Sequence, residues 1–382
     1  MELPPQVYSS IVRHFEKRAD LCTLCLVSRS FQAAAERELY RSLDVREPST
    51  TIILCNVLSE TPRLSQLVVE FTISLNEEGL QDSGINHQTH DILSLPSDYL
   101  ASVSGALHQT TNLRLLHVHL SRGIPLKYAW ILVDCSFRLH TFHCDFSWDA
   151  HLVSFLSTQH LLSELHISDF NEDIPENVSI NARSLRQART IPYLSTLNCT
   201  FTGVVGTLVP GRPVTHVKTC FSSTGLKAKR VELALLLANL RLSTKPLRSL
   251  LVADESYTTT FSLELLSSLV KTFGPRPQLR FVGPLVLPVD GRQVSIILSI
   301  AATSCWPVCL ADTCSISRGS PFTDSWRIYA NSGVRSWMFR SGNLPLCLSW
   351  HYAPLLASST CMSHQFPPSC LCGTWSQWFY GL

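Results

Sequence analysis

The sequence predicts an α/β fold in which three short N-terminal helices lead into an irregular solenoid of parallel strands alternating with helices. Three observations carry this expectation. Residues 3–45 carry helix punctuation and helical apolar spacing, and a strand-like apolar pattern then recurs from about residue 46 to 290. Helical patterns fall between those recurrences. With 45% hydrophobic and 16% charged residues in 382 positions, the chain has ample apolar content for a large core.

The first stretch reads LPPQVYSSIVRHFEKRADLCTLCLVSRSFQAAAERELYRSLDV. Pro4 and Pro5 stand where a helix should begin, Asp20 where a second should be capped, and Ser28 or Ser30 where a third should start. Val7, Ile11 and Phe15 fall on one stripe of the first helix, and Leu21, Leu24 and Cys25 on the second. Phe31, Ala34, Ala35 and Leu39 mark the third. Each helix is too short to persist alone, so the three must pack together.

These residues resemble an F-box, and more narrowly the F-box of fungal proteins with leucine-rich repeats downstream. The resemblance rests on Leu3-Pro4, Val7, Ile11, Asp20-Leu21, the run Leu26-Val27-Ser28-Arg29-Ser30-Phe31 and the closing Leu39-Tyr40-Arg41-Ser42-Leu43. Phe31 stands where many members have Trp. The family docks on a Skp-family adaptor and through it a cullin. The resemblance therefore implies adaptor contacts from Leu3, Pro4, Val7, Ile11, Leu21, Leu24, Val27 and Phe31.

Downstream, an apolar residue, two others, an apolar residue and then alternation recur. The copies begin at Leu64, Leu113, Leu139, Leu162, Leu194, Val214 and Leu247, at intervals of 49, 26, 23, 32, 20 and 33 residues. The tail of each copy suits a short strand with one buried face. Helices are expected at 98–107, 149–156, 228–240 and 263–273. Units this small must stack, which predicts a degenerate leucine-rich-repeat-like solenoid over 46–300. Residues 228–240 are read as core, and the polar stretches 76–91 and 168–181 as loops.

Residues 301–382 break the pattern. They contain no Lys or Glu, yet hold 7 of the 14 Cys and 6 of the 8 Trp. So few charges beside so many aromatics suggest a frame or splice error near residue 300.

Charge and motifs exclude several functions. A formal charge of +2 leaves no electrostatic footprint for nucleic acid or an anionic membrane, and no secretory leader or bilayer-spanning run is expected. The expected location is therefore cytoplasmic or nuclear, with the cysteines reduced. Cys22-x-x-Cys25 lacks a second half and is read as two small buried hydrophobes, and Cys305, Cys309, Cys314, Cys370 and Cys372 are too loosely spaced for a metal set. Nucleotide, metalloprotease and serine-hydrolase signatures are missing, so neither an active site nor a cofactor is expected.

His117, His143 and His166 occupy the same place in three copies and should form a solvated column that titrates near neutral pH, with His119 and Asp145 beside it. The residues expected to point outward are Val68, Glu70, His117, His119, His143, Asp145, His166, Ser168, Asn198 and Thr200. The expected function is that of a substrate receptor in a cullin-RING ubiquitin ligase, with the target, an unidentified protein, held by Glu70, His117, His119, His143, Asp145 and His166. The alternatives are an interaction scaffold outside any ligase and the unstable product of a degraded gene. Transcript sequencing across codon 300 is expected to reveal a displaced frame or junction; an intact transcript in the same frame rejects the error.

Overall fold

The computed structural model describes residues 4–75, 95–120, 127–168, 184–187, 189–254, 258–274 and 278–285, with the backbone of strands at 308–310, 328–331, 334–341 and 344–351. The chain is mixed α/β and divides into two compact units, 1–194 and 195–382. The stretches 76–91 and 169–181, expected as loops, lie outside the described residues, as does Leu3.

The first unit opens with α1 (Pro5–Val12), α2 (Arg18–Leu24) and α3 (Arg29–Arg41). Pro5 sits in the first turn of α1, where its missing N–H costs nothing. Ser28 caps α3 by accepting a 3.3 Å bond from Phe31 N. Asp20 is no cap: α2 starts two residues earlier, which leaves Asp20 in the first turn, where its charge still favours the helix dipole. Val12, Leu21 and Ala35 form the buried centre, against which Leu24, Cys25, Phe31, Ala34 and Leu39 pack. Cys22 is exposed, so only Cys25 of the pair serves as a packed hydrophobe.

No residue separates α3 from β1 (Ser42–Val45). Residues 42–45 therefore belong to the sheet although the sequence placed them with the helices. Then come α4 (Pro48–Glu60), α5 (Pro62–Ser65), β2 (Glu70–Ser74), α6 (Tyr99–Gln109) and β3 (Leu115–His119). A 3-10 turn (Ala129–Leu132), β4 (Thr141–Cys144), α7 (Ala150–Ser157) and β5 (Glu164–Ile167) complete the described elements. Asp149 caps α7 through a 2.9 Å bond from Leu152 N. The strands β1 to β5 pair in chain order, all parallel. Their register aligns Leu43, Phe71, Leu116, Phe142 and Leu165 in one buried row.

That row corrects the first repeat. The copy begins at Val68, not Leu64, because Phe71 pairs with Leu116 and both Phe71 and Ile73 are fully buried. Val68 is itself fully buried, against the expectation that it points outward.

The second unit repeats the plan with β6 (Thr196–Cys199), α8 (Thr202–Leu208), β7 (His216–Cys220), α9 (Leu226–Leu240), β8 (Ser249–Ala253), α10 (Thr259–Phe273) and β9 (Phe281–Leu285). Its strands are parallel and in order, with Leu197, Val217, Leu250 and Val282 aligned and buried. The copy at Leu279 and Val282 escaped the sequence pattern. Helix α9 is core on one side through Leu233, Leu236, Leu237 and Leu240, whereas Val231 and Leu235 are exposed. Lys229, buried in α9, is paired with Asp254 at 2.6 Å. Glu232 fastens the preceding loop, accepting from Ser222 N, Ser223 N and Thr202 Oγ1. The backbone at β10 (Val308–Leu310) pairs parallel with β9, and β11 (Ile328–Asn331), β12 (Val334–Ser341) and β13 (Leu344–His351) form an antiparallel sheet.

Both units share one backbone device. The carbonyl of the residue preceding a strand by one position accepts two N–H groups from the next strand's start. Val69 O takes Arg114 N and Leu115 N (2.8 and 3.1 Å), and Arg114 O takes His140 N and Thr141 N (2.7 and 3.1 Å). In the second unit Arg248 O takes Arg280 N and Phe281 N at 2.7 and 3.1 Å.

Replacing Phe71 by Ala is expected to cost about 3–5 kcal/mol, whereas Leu67→Ala, at a half-exposed position, should cost under about half of that. Urea unfolding of the two variants checks the register; equal losses would restore the earlier one.

Candidate functional site

The outer row of the first sheet aligns Asp44, Thr72, His117, His143 and His166, as the strand register requires. The sequence therefore located the histidine column correctly. Its environment differs from the expectation. His117 and His143 stack with ring centres 4.0 Å apart and planes 6° from parallel, and His166 meets His143 edge-on at 5.1 Å. His166 is buried, with its Nε2 2.9 Å from Ser168 Oγ, and Asp145 and Ser168 are buried as well. These three residues are thus corrected from exposed contacts to buried ones. Glu70 is half-exposed but lies in the adjoining row with Leu115, Thr141 and Glu164.

Burial pushes His117, His119 and His143 down to about 4, and the His143 ring adds to the effect at His117. Glu164, 3.3 Å from His143 Nε2, opposes the shift at His117 without overcoming it. His117, His119 and His143 are therefore neutral at pH 7 and do not switch there. Among the described residues no group of His, Cys, Asp and Glu is placed to hold a metal ion.

A second surface lies on the three-helix bundle. Val7 and Phe15 are partly exposed, and after α2 the chain presents Leu26 at 88% and Val27 at 62% exposure. Val7, Ile11 and His14 line a shallow depression of about 260 Å3. Tyr8 meets Phe31 edge-on at 4.9 Å, so Tyr8 and Val12 turn inward and leave Val7 outward. The stripe read as Val7, Ile11 and Phe15 is therefore largely the outer face of α1. Of the expected adaptor contacts, Pro4, Val7 and Val27 are exposed and Ile11 is half-buried. Leu21 is corrected to a core residue, and Leu24 and Phe31 direct their packing to the core too. Leu26, the most exposed of these large apolar residues, was named in the motif but not as a contact.

The third feature is a cavity of about 900 Å3 beside α1, α3 and the starts of β2 to β4. Its lining includes Arg13, Arg37, Arg41, Arg63, Arg114 and Arg138, with Glu38 as the one carboxylate among the described residues. Sequence reading missed it because its arginines are scattered from position 13 to 138.

No protein-family model matches the chain, and no curated protein matches it. No described helix is long and apolar enough to cross a membrane.

The depressed histidines set a pH dependence. A proton binds the unfolded chain, near 6.5, more readily than His117 or His143 in the folded chain, near 4. Their contribution to stability is complete above pH 6.5 and is expected to be lost as the pH falls towards about 4. Urea midpoints across that range check it, and His143→Gln should flatten the fall.

Proposed function

We propose that this chain is the substrate-recognition subunit of a cullin-RING ubiquitin ligase, with an F-box-like bundle followed by a leucine-rich-repeat-like solenoid. The observation that carries the reading is the apolar outer face of the N-terminal bundle. Leu26 and Val27 stand exposed at the turn before α3, and Val7 and Ile11 line a depression on α1. These residues belong to the motif that carries the family resemblance. An exposed apolar set on a small helical bundle is suited to burial against a partner. The in-order parallel strands behind it supply a rigid platform, as a receptor needs.

The mechanism is tethering. A Skp-family adaptor held by the bundle brings a cullin and its ubiquitin-loaded enzyme close to a protein target, which raises the effective concentration of reacting groups without chemistry by this chain. The place of action is cytoplasmic or nuclear.

Affinity purification is expected to recover the adaptor together with a cullin. Val7→Asp combined with Val27→Asp changes two exposed residues and should weaken adaptor binding at least tenfold, about 1.4 kcal/mol. Recovery of adaptor without cullin favours a scaffold outside the ligase, and undiminished recovery by the double variant removes the docking surface.

A further inference from the structure

We propose that the arginine-lined cavity of the first unit binds a ligand carrying two or more phosphate groups. The inference is independent of adaptor docking, since it rests on a different face and a different chemistry.

Six arginines line the cavity against one acidic residue, Glu38, and Arg138 also donates to the Ser136 and Phe137 carbonyls. Arg63 is neutralised by an ion pair with Glu36. Arg13, Arg37, Arg41, Arg114 and Arg138 have no acidic partner within ion-pair distance among the described residues. Arg37 and Arg41 are one helical turn apart on α3 and so share a face. Like charges gathered this way repel one another, and an anion between them relieves that cost. Guanidinium groups offer planar forks of donors that match phosphate oxygens in pairs, which makes phosphate the fitting anion.

The sheet fixes the backbone spacing of two of these arginines. Arg41 O accepts from Val69 N at 2.9 Å, and Val69 O accepts from Arg114 N at 2.8 Å. Arg41 and Arg114 are therefore two strand positions apart, about 10 Å along the sheet. Five arginines without an acidic partner, set against Glu38 alone, carry more positive charge than one phosphate neutralises, so the site suits a ligand with at least two. Val12, Leu67 and Val69 add apolar lining that a linking backbone or ring can cover. A cavity of about 900 Å3 accommodates a compact ligand or a short peptide segment, whereas a nucleic-acid duplex needs an extended basic track.

Two probes distinguish the sources of such phosphates. Sodium tripolyphosphate represents a free oligophosphate. A synthetic peptide with two phosphoserines three positions apart, about 10 Å when extended, represents a phosphorylated protein segment. Isothermal titration of the full chain is expected to show one site per chain for at least one probe, with affinity that falls as salt rises. Tighter binding of tripolyphosphate assigns the site to a small ligand, and tighter binding of the peptide to a protein segment. Arg41→Gln with Arg114→Gln, and separately Arg37→Gln with Arg138→Gln, should each weaken binding at least tenfold. Arg248 and Arg280 hold the same strand-start position in the second unit, outside the cavity. Arg248→Gln with Arg280→Gln should leave binding unchanged. The proposal is overturned if neither probe binds, if both cavity pairs bind as well as the parent, or if the distant pair weakens binding equally.

Discussion

The parallel sheet of each unit depends on strands meeting their neighbours in chain order, joined at most of the described starts by one carbonyl that accepts two N–H groups. The Val69, Arg114 and Arg248 carbonyls all do this. A strand of four or five residues with one helix has too little apolar surface to remain folded by itself. The shared carbonyl fixes where the next strand begins, and the buried rows through Phe71, Leu116 and Phe142 follow from that register. Each fully buried member of the row stabilises the fold by roughly 2–3 kcal/mol, so a slip by one residue would forfeit a whole row.

Much of this was legible in the sequence, because apolar alternation and caps act locally. Asp149 and Ser28 announce α7 and α3, and six of the seven repeats were placed in the register the strands adopt. The first repeat failed for a definite reason. In Leu64-Ser65-Gln66-Leu67-Val68-Val69-Glu70-Phe71, apolar residues satisfy the pattern at two offsets, and only packing against Leu116 selects between them.

The histidine column shows a different boundary. Alternation correctly named the face on which His117, His143 and His166 lie, but not how crowded it is. Rings on adjacent strands shield one another from water, and that mutual burial is a property of three strands at once. The arginine cavity is harder still to see, because its charges come from separate helices and strand starts and are diluted by a nearly neutral chain. Net charge therefore hid this local concentration of positive charge.

The absence of any residue between α3 and β1 has a mechanical consequence. Arg41 ends the helix, Ser42 begins the strand, and Arg18 binds the Ser42 carbonyl at 2.8 Å. The bundle is thus a fixed bracket and not a module on a leash. Anything gripped by the apolar face of α1 takes a set bearing relative to the arginine cavity, whose wall is the other side of the same helices. Two occupants would be held at a distance and angle written into one helix-to-strand junction, with no linker to lengthen or relax.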